Sequence, residues 1–139
     1  MNNRKVFGGL VFGAMVLCAS RVTPAHHSQV MFDGSRDVQV SGIVRTFEWG
    51  NPHVWLWVTV LDAKGSSTNY AFEGTSPGEM TRRNGWTRNT VSTADKVTVK
   101  YHPFKNGNNG GRLEAVTLAD GRVLHVEGGL PPSKTRSAQ

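Results

Sequence analysis

Five histidines offer most of the chemistry in this sequence, and two of them, His26 and His27, follow directly on Thr23-Pro24-Ala25. A chain cut after Ala25 begins with His26. The α-amine and imidazole of such a residue can chelate one metal ion. A second imidazole completes a three-nitrogen, T-shaped site, the arrangement called a histidine brace. The α-amine has an ordinary pKa of about 7.7–8.0, so a metal can displace its proton near neutral pH. Nitrogen-rich tetragonal sites favour copper(II), which also heads the divalent affinity series. His53 is the expected second ligand, with His102 in reserve. His27 competes, because an imidazole at position two can chelate with the amine and the intervening amide. A plainer account stands beside this one. Adjacent histidines after an export signal often form only an exposed polar lead, and a lone His53 can serve by bonding the turn around it. His125 is expected in a final strand without a metal. Histidines this widely spaced are far less specific than paired C-x-x-C elements.

Trp49, Trp55, Trp57 and Trp86 offer a different chemistry, an aromatic surface for a ligand, to which Asn51 adds an amide. Against it stands the ordinary use of tryptophan to fill or edge a core. Glu48 and Glu73 are placed to supply a carboxylate beside the histidines, or to sit on solvent faces. Arg82-Arg83 reads as a solvated helix face. No G-x-S-x-G, H-E-x-x-H or glycine-rich phosphate loop occurs, so no hydrolytic enzyme assembles from these residues. A copper-dependent oxidative activity would need an open coordination position that the sequence does not specify. Enzymatic activity stays an open question that leans towards none.

The chain opens with Asn2-Asn3-Arg4-Lys5 and an apolar run from Val6 to Ala19, followed by small residues. A basic start, a short apolar core and a small-residue exit describe a signal peptide over residues 1–25. The run is short of the roughly 20 residues that a membrane span needs. A competing cleavage site lies after Ser20, and a lipoprotein reading through Cys18 is disfavoured by the bulk of Leu17. The only cysteine leaves with the leader, so the exported chain has no disulfide and depends on one hydrophobic core. Losing Arg4, Lys5 and Arg21 lowers the formal charge from +6 to +3. That is too weak a charge to argue for nucleic acid, and export removes the chain from that partner.

The elements that must position these residues are mostly strands. Gly50-Asn51-Pro52-His53 is a turn that opens onto Val54-Trp55-Leu56-Trp57-Val58-Thr59-Val60-Leu61. Val54, Leu56, Val58 and Val60 share one face at period two, with Trp55, Trp57 and Leu61 on the other. Two apolar faces predict a central strand covered on both sides, with His53 at its mouth. Asp37 to Trp49 alternates as a first strand, bent at Gly42, and Asp62-Ala63-Lys64-Gly65 reads as a hairpin turn before a third strand, Thr68 to Glu73. Ser76-Pro77-Gly78-Glu79 opens a short helix by cap, first-turn proline and capping box, and the helix ends near Asn84-Gly85. Lys96 to His102 is the next strand and Lys105 to Gly111 a polar loop. Leu113 to Leu118 and Arg122 to Val126 form a last hairpin, and residues 128–139 read as a disordered tail. Three strands, a helix and two or three more strands give an all-β class with one short helix. The expected architecture is a small OB-like, partly open barrel of five to six strands in one domain, 26–127. In that fold the loop between strands one and two and the loop between strands four and five belong to the usual binding surface, with His53 at the first and His102 leading into the second.

Ala25-His26-His27-Ser28, Phe32-Asp33, Glu48-Trp49-x-Asn51-Pro52-His53, Phe72-Glu73, Ser76-Pro77, Arg83-x-Gly85-Trp86, Asp95-x-Val97-Thr98-Val99 and Asp120-Gly121-Arg122 together resemble domain-of-unknown-function family 6152. The resemblance implies one small β-rich exported bacterial domain and carries over no reaction and no catalytic residue. Gly50 and Gly74 stand where bulkier residues are expected, which would loosen the loops there. Two functions follow as expectations. The first is a periplasmic or secreted copper-binding protein acting in sequestration or delivery, with a possible protein partner. The alternative is a metal-free OB-like module that binds a small molecule or a protein through its tryptophans.

Overall fold

The computed structural model describes residues 31–126. The leader, His26, His27 and the tail from 127 onward lie outside the described residues. Six strands form one sheet: β1 (Val38–Glu48), β2 (Trp55–Leu61), β3 (Ser67–Glu73), β4 (Lys96–Pro103), β5 (Gly110–Leu118) and β6 (Val123–His125). The helix α1 (Pro77–Asn84) stands between β3 and β4. The strand order is β3-β2-β1-β4-β5-β6, and β3 also pairs with β5, so five strands close into a barrel and β6 extends it. All pairings are antiparallel except β3–β5. This is the expected OB-like β-barrel with its one short helix.

Alternation decides the inside. Leu56, Val58, Phe72, Val97, Val99, Leu113 and Val116 point inward with Val44, and Met80 and Trp86 plug the barrel from α1 and its exit. The helix starts where the capping chemistry places it. Ser76 Oγ accepts from the Glu79 N–H at 3.4 Å, and Pro77 takes the first helical position. The Glu79 carboxylate meets Arg82 and Arg83 at 3.5 Å each, on the exposed helix face. At the other end Gly85, at φ +71°, ends the helix and turns Trp86 inward. Trp86 Nε1 then donates to His125 O at 2.7 Å, tying β6 to the core.

Several sequence expectations need correction. β2 is covered on one side only: Leu56 and Val58 are buried, whereas Trp55 and Trp57 are half-buried and Leu61 is exposed on the outer surface. In a barrel the outer face has no second layer to cover it. β1 also carries a bulge at Arg45, between the pairs Val44–Val58 and Thr46–Trp57. Gly42 lies where β1 passes from β4 to β2 as partner, and a Cβ there would lie 2.4 Å from Thr59 O. Gly110 and Gly111 belong to β5, not to the preceding loop, because they lie against Ala71 and Phe72 at the β3–β5 seam. Gly74 is not loose. It is buried, its N–H donates to Val54 O at 2.8 Å, and a Cβ would press on Met80 Sδ at 3.2 Å.

Candidate functional site

His53 follows the cis Asn51–Pro52 peptide and precedes the buried Val54, whose backbone is held between Thr75 O and the Gly74 N–H. This anchoring fixes the start of β2 beside the end of β3, where Trp55 faces Glu73 in register. Phe72 points into the core, so Glu73 points outward, and it is nonetheless almost fully buried. Its carboxylate is paired with His53 Nδ1. A carboxylate only accepts, so Nδ1 carries the hydrogen, and in the neutral ring Nε2 holds the lone pair. Metal-bound imidazoles are commonly oriented this way, with a carboxylate behind the far nitrogen.

The pair lines a cleft of about 200 Å³ with Phe32, Pro52, Gly74, Thr75, Ser76, Glu79 and Arg112. Thr75 Oγ1 is enclosed with no hydrogen-bond partner among the described residues, the kind of atom that a ligand would satisfy. Phe32 brings in the chain from its N-terminal side. It packs on Phe104 with ring centroids 5.1 Å apart, and Asp33 N donates to Pro103 O at 2.8 Å. Two hydrogen bonds from Ser35 lower the pKa of the exposed Asp33.

Register links the remaining candidates. Glu48, Trp55, Glu73, Arg112 and His102 are successive partners across β1, β2, β3, β5 and β4. His102 is thus on the same row as Glu73 but beyond Arg112, and it joins a different group. Its Nδ1 donates towards Arg36 O at 3.0 Å and Asp37 Oδ1 at 3.2 Å, and its Nε2 lies 3.9 Å from Glu114 Oε2. One ligand atom from each of Asp37, His102 and Glu114 lies within 4.8 Å of the others, a spacing open to a metal ion. Lys100 already fills that role with its ammonium, 3.0 Å from Asp37 and 2.8 Å from Glu114. These bonds, Glu114 first and then Asp37, raise the Lys100 pKa. The group is best described as an ion-pair network.

The tryptophans separate. Trp86 is core, and Trp49 is half-buried against Phe47. Asn51 is exposed in the turn before β2. Trp55 and Trp57 lie side by side on the outer face, ring centroids 6.2 Å apart and planes 29° apart. They line an open groove of about 470 Å³ with Asn69, Ala71, Phe104, Gly107, Asn108 and Asn109. This is the strand-two and strand-three face flanked by the loop between β4 and β5, the usual binding surface of the fold. Glu48 stands apart, exposed with Arg45 and Thr46 on the far flank of Trp57. His125 ends β6, where its carbonyl accepts from Trp86 and from Asn84.

Sequence reasoning brought Glu73 forward as a carboxylate near the histidines. It missed Arg112, Thr75 and the group around Lys100, because strand register and bulges, not local spacing, bring these together. Among the described residues no helix is long and apolar enough to cross a membrane. No curated protein and no solved structure matches the chain. The model of a family of unknown function, DUF6152, matches residues 14–114, most of the sequence. The chain belongs to the DUF6152 family.

Proposed function

We propose that this protein is exported to the periplasm and binds a metal ion there, most suitably copper, for sequestration or for delivery to a protein partner. The observation that carries the proposal is the His53–Glu73 pair. A buried carboxylate fixes the tautomer of a half-exposed imidazole and leaves Nε2 for a ligand. Phe32 supports the second half of the site, because it lines the same cleft. His26 precedes Phe32 by six residues, a stretch that spans up to about 20 Å. A brace of the His26 amine and imidazole with His53 Nε2 therefore lies within chain reach. His27 is the competing chelator, and His102, engaged with Arg36 and Asp37, is the weaker one.

The test is an intact mass of the protein from the exported fraction, followed by copper titration of the same sample. A chain that starts at His26 and binds one copper ion, with affinity at least about tenfold lower in His53→Ala, supports the site. A chain that starts elsewhere, or one whose copper affinity is indifferent to His53, removes the brace.

A further inference from the structure

The Trp55–Trp57 groove is independent of the histidine cleft. We infer that it is a binding site for a neutral oligosaccharide. The two indoles stand at i and i+2 on the outer face of β2, stacked with ring planes 29° apart, and both line the groove. An indole face suits the C–H face of a pyranose ring, which is apolar and carries slight positive charge, against the negative face of the indole. The rim is amide. Asn69, Asn108 and Asn109 line the groove, and each amide offers two donors and an acceptor to hydroxyl groups. Thr59 Oγ1 donates to Asn69 Oδ1 at 2.9 Å, which fixes that amide and leaves its NH2 for a ligand.

The residues that line the groove include no ionisable side chain. A nucleic-acid strand stacks on aromatic shelves too, but it needs cations along the groove to meet its phosphates, and none lines this one. The far wall is already in place. Asn109 O accepts from the Ala71 N–H at 3.2 Å, the Asn108 N–H donates to Asn106 Oδ1 at 3.0 Å, and Lys105 N donates to Met31 O at 2.9 Å. A wall fixed before binding lowers the ordering cost of association. The volume, about 470 Å³, falls within the usual range for small-molecule sites, about 300–1,000 Å³.

The experiment is tryptophan fluorescence and calorimetry on the full exported chain. The probes are hexaoses of β-1,4-glucose, β-1,4-N-acetylglucosamine and α-1,4-glucose, with single-stranded oligothymidine in parallel. At least one hexaose is expected to shift the emission and bind. Trp55→Ala or Trp57→Ala should weaken that binding about tenfold, and Arg82→Ala, on the helix surface, should leave it unchanged. Asn108→Ala, on an exposed loop outside the barrel core, should also weaken it and guards against misfolding of the tryptophan variants. The inference is overturned by no binding of any hexaose up to its solubility limit, by undiminished binding in the Trp55→Ala/Trp57→Ala double variant, or by binding of oligothymidine alone.

Discussion

Glu114 has no register partner on β4, and from that bulge its carboxylate reaches Lys100 Nζ at 2.8 Å. Lys100 pairs with Ala115 and Tyr101 with Leu113, so the extra residue turns outward to the charged face. One β-bulge thereby gathers Asp37, Lys100, His102 and Glu114.

The pH dependence of stability follows from this group. A raised Lys100 pKa means that the fold favours the ammonium. Its contribution is complete below the ordinary value of 10.5 and is lost as pH climbs through the folded value. Tyr101, raised from 10.0 by burial, acts in the same direction. Urea denaturation should therefore show stability falling as pH rises above about 10, first through Tyr101 and then, beyond about 10.5, through Lys100. Lys100→Met should flatten part of that fall and cost about 0.5–1 kcal/mol near neutral pH, less in high salt. An unchanged alkaline slope in Lys100→Met would show that the network contributes nothing.

Copper affinity should follow the Glu73 side chain. Glu73→Ala frees His53 Nδ1 and should weaken binding by about 10- to 100-fold. Glu73→Gln retains an acceptor for that N–H and should lose less. Competition titration against a copper chelator separates the two variants, and parent-like affinity in Glu73→Ala would deny the orienting role.

Glycine replacements should divide sharply. At Gly110 the backbone has φ +119°, and a Cβ would lie 1.9 Å from Ala71 O, so Gly110→Ala must open the β3–β5 seam. A loss above about 3 kcal/mol is expected, combining strain with broken pairing. Gly50→Ala meets nothing within 4 Å and should stay within about 0.5 kcal/mol. Thermal melts of the two variants decide this.

Trp86→Phe removes a donor to His125 O but keeps the aromatic plug. Asn84 Nδ2 still donates to the same carbonyl at 2.6 Å, so a loss of only about 1–2 kcal/mol is expected. Adding Asn84→Ala should cost more than the sum of the two single variants, because the carbonyl then has neither donor. Strict additivity in a double-mutant cycle would mean that the two bonds do not share this work.

The sequence made the elements legible wherever one local rule acted alone. Period-two alternation marked β1, β2 and β4, and Ser76-Pro77 with Gly85 marked both ends of α1. The start of β5 was hidden because Gly110-Gly111 reads as loop by composition, while its strand role depends on a neighbour about 40 positions earlier. Trp55 and Trp57 looked like core for a similar reason: apolarity on both faces of β2 does not say which side a barrel will cover. His53 and Glu73 were each visible as candidates, but their meeting depends on the β2–β3 register, set by a hairpin turn in which Asp62 Oδ1 accepts from the Lys64 and Ser66 N–H groups.

The β3–β5 seam has a mechanical consequence. It consists of three rungs, Ala71–Gly110, Phe72–Gly111 and Glu73–Arg112. Ala71 belongs to the wall of the tryptophan groove, and Glu73 and Arg112 belong to the wall of the histidine cleft. The two sites are thus hinged on one short zip. An occupant of either site braces its own end of that zip, and its binding energy resists parting of the barrel at its shortest join.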